Sequence, residues 1–117
     1  MIAITVPGRP VPLGRHRHGS HGNYLPSRSR IYRETIQAEW MLAGRPTLTD
    51  QPFAATMRFV GLRANADIDN AAKAILDALN NLAYLDDRQC TALHVEKRPT
   101  DKDGPRAEIQ LSVTRGT

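Results

Sequence analysis

The chain has 117 residues, 40% of them hydrophobic and 24% charged, which is the make-up of one small globular domain with a single core. No apolar run is long enough to span a bilayer and the opening Met1–Pro7 lacks the basic lead-in and long apolar stretch of a signal peptide, so a cytoplasmic location is expected; the single cysteine, Cys90, excludes an internal disulfide framework and a cysteine-based zinc site. The net charge of +4 is unevenly placed: residues 1–33 carry Arg9, Arg15, Arg17, Arg28, Arg30 and Arg33 and no acid, while the remaining 84 residues hold 10 basic and 12 acidic side chains, a balance of −2.

Ile2, Ile4 and Val6 alternate with Ala3 and Thr5, which predicts a short strand ending at Pro7. Residues 7–30 hold four prolines and four glycines and read as a long basic loop, flexible around 14–23, where no apolar residue anchors it. Ile31, Thr35, Ala38 and Leu42, with Ile36 and Trp40, recur at helical spacing and predict a helix over 29–42, stopped by Gly44 and Pro46. A strand follows over 53–62, with Ala55, Met57 and Phe59 on one face and Thr56 and Arg58 on the other. Ala72, Ile75, Leu76, Leu79 and Leu82 form an apolar stripe that predicts a second helix over 70–82, with Asp69 at its N-cap. Strands over 91–97 and 107–113, joined by a polar turn, complete the order β-α-β-α-β-β. The expected fold class is therefore α/β of the α+β kind, a single domain over 1–117 built as one mixed sheet covered by two helices.

The basic arm of this chain points to a polyanionic partner, and arginine in particular suits bidentate phosphate contacts. The stretch Asn65-Ala66-Asp67-Ile68-Asp69-Asn70-Ala71-Ala72-Lys73 carries the most chemistry. Two residues apart in an extended segment, Asp67 and Asp69 would share one side, with Ile68 turned to the core. Lys73 lies one helical turn beyond Asp69. A second acidic pair, Asp86-Asp87, follows the helix, and whether it returns to the first depends on how the next strand pairs. If it does, three carboxylates converge beside a lysine, an arrangement that calls for a bound cation; hard oxygen donors favour Mg²⁺ or Mn²⁺. Such a site beside a phosphate-binding arm describes a metal-dependent phosphodiesterase acting on nucleic acid. A plainer reading of the same residues makes Asp69 an N-cap only, pairs Lys73 with Asp77 on the surface, and leaves Asp86-Asp87 as a turn. His16, His18 and His21 lack metal-ligand spacing, Cys90 reads as an inert thiol, Trp40 as core or dimer interface, and Tyr24 as a lone residue that could stack on a base.

Taken together these residues resemble the RusA family of Holliday-junction resolvases over nearly the whole chain. The resemblance rests on Val6-Pro7-Gly8-Arg9-Pro10-Val11-Pro12, on Ile31-Tyr32-Arg33, and above all on Asp67-Ile68-Asp69-Asn70-Ala71-Ala72-Lys73-Ala74-Ile75-Leu76-Asp77-Ala78-Leu79 followed by Leu85-Asp86-Asp87-Arg88-Gln89. Val95-Glu96-Lys97-Arg98 and Arg106-Ala107-Glu108-Ile109 also fit, while the histidine-rich arm and Cys90 depart from the pattern. The resemblance implies a homodimeric, Mg²⁺- or Mn²⁺-dependent endodeoxyribonuclease that cuts two symmetry-related strands of a four-way junction. It maps the catalytic and metal-binding carboxylates onto Asp67, Asp69 and Asp87 and the catalytic lysine onto Lys73, with Asp86 in support. The arginines at 9, 15, 17, 28, 30 and 33 are expected to meet DNA. Two other readings stay open: a binding module without catalysis, and a nuclease for other branched DNA such as flaps or forks.

Overall fold

In the computed structural model the described residues are 2–12, 17–19, 22–24, 27–44 and 50–114, with 17–19 and 22–24 described for their backbone alone. The elements run β1 (Ile2–Pro7), β2 (Arg17–Gly19), β3 (Gly22–Tyr24), α1 (Ser27–Leu42), β4 (Phe53–Val60), α2 (Ile68–Ala78), a 3₁₀ turn (Asp87–Gln89), β5 (Cys90–Arg98) and β6 (Arg106–Val113). One four-stranded sheet has the order β1-β6-β4-β5, antiparallel except for the β4–β5 pair, which α2 connects as a parallel crossover. The mixed sheet under two helices is thus as expected. One difference lies in the arm, where β2 and β3 pair as a short antiparallel ribbon inside the stretch read as a loop.

The period-two patterning fixes which sheet face is covered. Ile4 and Val6 of β1, Phe53, Ala55, Met57 and Phe59 of β4, and Ala107, Ile109 and Leu111 of β6 are all buried and belong to one cluster. Tyr32, Ile36 and Trp40 of α1 and Ala71, Ala72, Ile75 and Ala78 of α2 close over that face. Alanines along the inner side of α2 let its backbone approach the sheet closely. Trp40 is therefore a core residue, at 1% exposure. The opposite face carries a charged ladder instead: Glu96 meets His94 at 2.9 Å and Arg98 at 2.8 Å, and Glu108 meets Arg106 at 2.9 Å. Alternation also holds in β5, but Leu93 remains 46% exposed, because β5 is the outermost strand and only α2 overlaps it. No helix among the described residues is long and apolar enough to cross a membrane.

The crossover sets two ends to the sheet. β1 and β4 both finish opposite Arg106, the first residue of β6, so Pro7 and Val60 leave the sheet at the same end. At the other end Phe53 begins β4 opposite Cys90, the first residue of β5. Since α2 starts after β4 and leads to the start of β5, it runs from the first end to the second. α1 runs the same way: its first turns flank Pro7 and Gly8, and further along Gln37 Nε2 donates to the carbonyl of Ala78 at 3.0 Å. Two helix N-termini therefore share the end of the sheet where β1 and β4 finish.

Candidate functional site

α2 begins at Ile68, two residues earlier than its apolar stripe predicts, so its N-cap is Asp67 and not Asp69. Asp67 has extended backbone (φ −75°, ψ 125°), and its carbonyl accepts the first helical bond, from Ala71 N–H at 3.1 Å. Asp69 falls in the first turn, where a carboxylate is favoured by the unpaired N–H groups and the helix dipole. The two aspartates are consequently not both in an extended segment, as expected from sequence, but they flank Ile68, which packs on the core, and both are exposed. The Asp67 carboxylate makes no capping bond; among the described residues it accepts only a long contact from Asn70 Nδ2, at 3.4 Å. Lys73 is exposed one turn on and takes part in none of the ion pairs found among the described residues, so the surface pair with Asp77 is not formed. Helix α2 also stops short, at Ala78. The chain then turns through Asn81 (φ 63°), held by Tyr84, whose hydroxyl donates to the Leu76 carbonyl at 2.6 Å and whose ring stacks on Phe53 at 4.6 Å.

The second acidic pair divides its labour. Asp86 caps the 3₁₀ turn: Oδ1 accepts from the Arg88 backbone N–H at 2.9 Å, and Oδ2 from the Arg88 guanidinium at 3.1 Å. Gln89 completes the capping box, its Oε1 accepting from the backbone N–H of Asp86 at 2.9 Å and of Leu85 at 3.0 Å. Gln89 Nε2 in turn donates to the Gln51 carbonyl at 3.0 Å, tying the turn to the start of β4. Arg88 holds the Asp86 carboxyl below the usual carboxylate range, whereas burial pushes that of Asp87 up, with Asp86 and Asp77 adding to it and Lys73 opposing. Asp86 thus supports the turn. Sequence reading missed the role of Gln89, although an Asp with Gln three residues on is the signature of such a box.

Within one chain the three aspartates are not gathered. Asp67 and Asp69 stand at the end where β4 finishes, and Asp87 just precedes Cys90 at the end where β4 begins. Asp87 instead comes within electrostatic reach of α2, of Asp77 in its last turn and of Lys73 midway along it, one turn beyond Asp69. No group of three potential metal ligands occurs among the described residues. Among the described residues the three aspartates therefore form no single cluster within one chain, the start of α2 and the start of β5 being set by the crossover towards different ends of the sheet.

Of the arm residues, Arg9, Arg28 and Arg30 are exposed and Arg33 is half-buried. Arg9 and Arg28 line one cleft beside the last residues of β1. Arg15, His16 and His21, and the side chains of Arg17, His18 and Tyr24, lie outside the described residues. Cys90 is half-buried, its thiol pushed up by that burial, in keeping with an inert group.

Comparison with known proteins adds two findings. The sequence profile of the family described as Endodeoxyribonuclease RusA matches residues 7–112. An uncharacterized Bacillus subtilis (strain 168) protein, YqaN, is 26% identical over 136 aligned positions, which cover 94% of each chain.

Proposed function

The chain belongs to the RusA endodeoxyribonuclease family, and from that premise we propose that it resolves four-way DNA junctions as a homodimer dependent on Mg²⁺, with Mn²⁺ able to substitute. The observation that carries the reading is the Asp67–Asp69–Lys73 set: exposed, outside the ion pairs found among the described residues, and placed with Arg9 and Arg28 at one end of the sheet. The donors fit a hard divalent cation in kind, being carboxylate oxygens not consumed by caps or ion pairs. In number they fall short within one chain, so Asp87 of the partner subunit completes the ligand set.

An edge-to-edge pairing would achieve this. β5 is an outer strand with Leu93 46% exposed, and Leu85, 63% exposed, adjoins the acidic pair. Two β5 strands paired antiparallel about a two-fold axis set the Cys90 end of one against the Arg98 end of the other. That brings Asp87 of each chain towards the end of the partner's sheet where Asp67 and Asp69 stand. A four-way junction offers two equivalent strands, and two sites in matching orientation answer it.

When bound, the cation supplies Lewis acidity at the phosphate and activates water for attack. Asp67 and Asp69, with Asp87 of the partner subunit, would hold it. The Lys73 ammonium offsets charge on the scissile phosphate as water adds to phosphorus and the bond to the leaving sugar oxygen breaks. Arg9, Arg28, Arg30 and Arg33 bind flanking phosphates.

Mixing variants tests the composite site. Asp69→Asn and Asp87→Asn should each bind junctions and each lose cleavage by roughly a hundredfold or more. Mixed and allowed to exchange subunits, they should regain strand nicking, because one site of the hybrid pair then has all its native ligands. No recovery in verified hybrid dimers would place the ligands within one chain. Equal cleavage of a junction, a fork and a linear duplex by the native protein would overturn junction resolution, and no metal-dependent cleavage of any of them would leave a binding module.

A further inference from the structure

Beside the last residues of β1 lies a cleft of about 270 Å³, lined by Pro7, Gly8, Arg9 and Val11 on one side and by Arg28, Ile31, Tyr32 and Thr35 on the other. The helical residues are spaced i, i+3, i+4 and i+7, so they form one stripe along the first turns of α1. The walls are mostly apolar, and two exposed arginines stand at the cleft with no carboxylate among its lining residues. The first turn of α1 holds no acid either, so its unpaired N–H groups add positive potential. Tyr32 is 7% exposed, and its hydroxyl has no hydrogen-bond partner among the described residues. A buried polar group of that kind is rare, and none of the described residues pairs with it. The neighbouring Thr35 hydroxyl is already engaged, donating to the Ile31 carbonyl at 3.0 Å.

We propose that this cleft receives one unstacked nucleobase of the DNA, with Arg9 and Arg28 gripping the phosphate attached to it. The inference rests on the nuclease reading for the presence of DNA, but the site is separate from the acidic residues. Size selects the ligand class: the volume lies just under the range of about 300–1,000 Å³ typical of drug-sized ligands, which suits a single ring system and not a stacked pair. Chemistry selects it too. A planar ring fits the apolar walls, and its anionic tether fits two guanidinium groups, which can also stack on a base. Placement agrees, because β1 and β4 finish at the same end of the sheet, two strand spacings apart, roughly 10 Å. A strand whose phosphate lies at Asp67 and Asp69 therefore passes the cleft within a few nucleotides. A branch point offers bases with the least stacking to lose.

The test uses the full native chain and thymidine 5′-monophosphate, followed by amide chemical shifts in two-dimensional NMR without divalent metal. Shifts centred on Gly8, Arg9, Ile31 and Thr35 are expected, larger with the nucleotide than with inorganic phosphate or deoxyribose 5-phosphate. Ile31 is 59% exposed, so Ile31→Glu keeps the fold while placing a carboxylate against the anion; it and Arg28→Ala should each weaken nucleotide binding about tenfold. Equal shifts with phosphate and nucleotide would reduce the site to an arginine pair and overturn the base-binding claim, as would an absence of shifts. In a junction bearing 2-aminopurine near its branch point, fluorescence should rise on binding the native chain and not Ile31→Glu. A junction cleaved without any such rise would sink the cleft and leave the nuclease standing.

Discussion

Asp86 and Asp87 are adjacent, yet their carboxyls move in opposite directions. Asp86 is drawn down by the Arg88 backbone N–H and guanidinium; Asp87 is driven up by burial, by Asp86 and by Asp77, against the pull of Lys73. Removing the Asp77 charge favours the ionised form of Asp87, so Asp77→Asn should lower the Asp87 titration midpoint, and Lys73→Met should raise it. Carboxyl-resolved NMR titration of the metal-free protein reads both; shifts of the same sign in the two variants would contradict this placement of Asp87 beside α2. At this scale the sequence is legible in type and less so in position. Asp67, Asp69 and Lys73 come out exposed around a core-packed Ile68, as their spacing implies. The apolar stripe misplaces the N-cap by two residues, because it marks where α2 meets the sheet and not where its hydrogen bonding starts.

Among elements, the link from β4 to α2 decides where the acidic residues stand. It opens at Gly61, whose φ of +83° suits glycine, and whose N–H donates to the Arg98 carbonyl at 2.9 Å. Lys97 Nζ holds the same link further on, donating to the Ala64 carbonyl at 3.1 Å. A Cβ on Gly61 would lie 2.7 Å from Thr100 Oγ1 and 2.8 Å from Pro105 Cβ. Gly61→Ala should therefore cost about 2 kcal/mol or more in denaturant unfolding, from backbone strain plus collision. Gly104→Ala, with similar φ but nothing within 4 Å, should cost about 1 kcal/mol, the strain alone. Equal losses would show that Thr100 and Pro105 do not constrain the link. Strands β1, β4 and β6 follow directly from alternation, since each buries one face. β5 has the same alternation without the burial, and its position at the edge, parallel to β4, depends on a crossover that no local pattern encodes.

For the molecule as a whole, the end of the sheet where β1 and β4 finish carries both signs of charge, Asp67 and Asp69 as well as Arg9 and Arg28. Arg9 and Arg28 line the cleft beside the last residues of β1, in line with a basic arm that tracks phosphate. Replacing Arg15, Arg17, Arg28 and Arg30 by alanine should flatten the dependence of log K on log salt by about 0.9 for each phosphate that is no longer neutralised. An unchanged slope in fluorescence anisotropy titrations would remove the arm from the DNA interface. The place of Asp87 is out of reach of sequence reading for the same reason as β5: it depends on which end of the sheet the crossover returns to.

The side-by-side course of α1 and α2 has a consequence of its own. Both backbones point their amide hydrogens towards one rim and their carbonyls towards the other, so their dipoles add instead of cancelling. An anionic group that reaches that rim meets the unpaired N–H groups of two helices at once, a gain confined to the first turn of each.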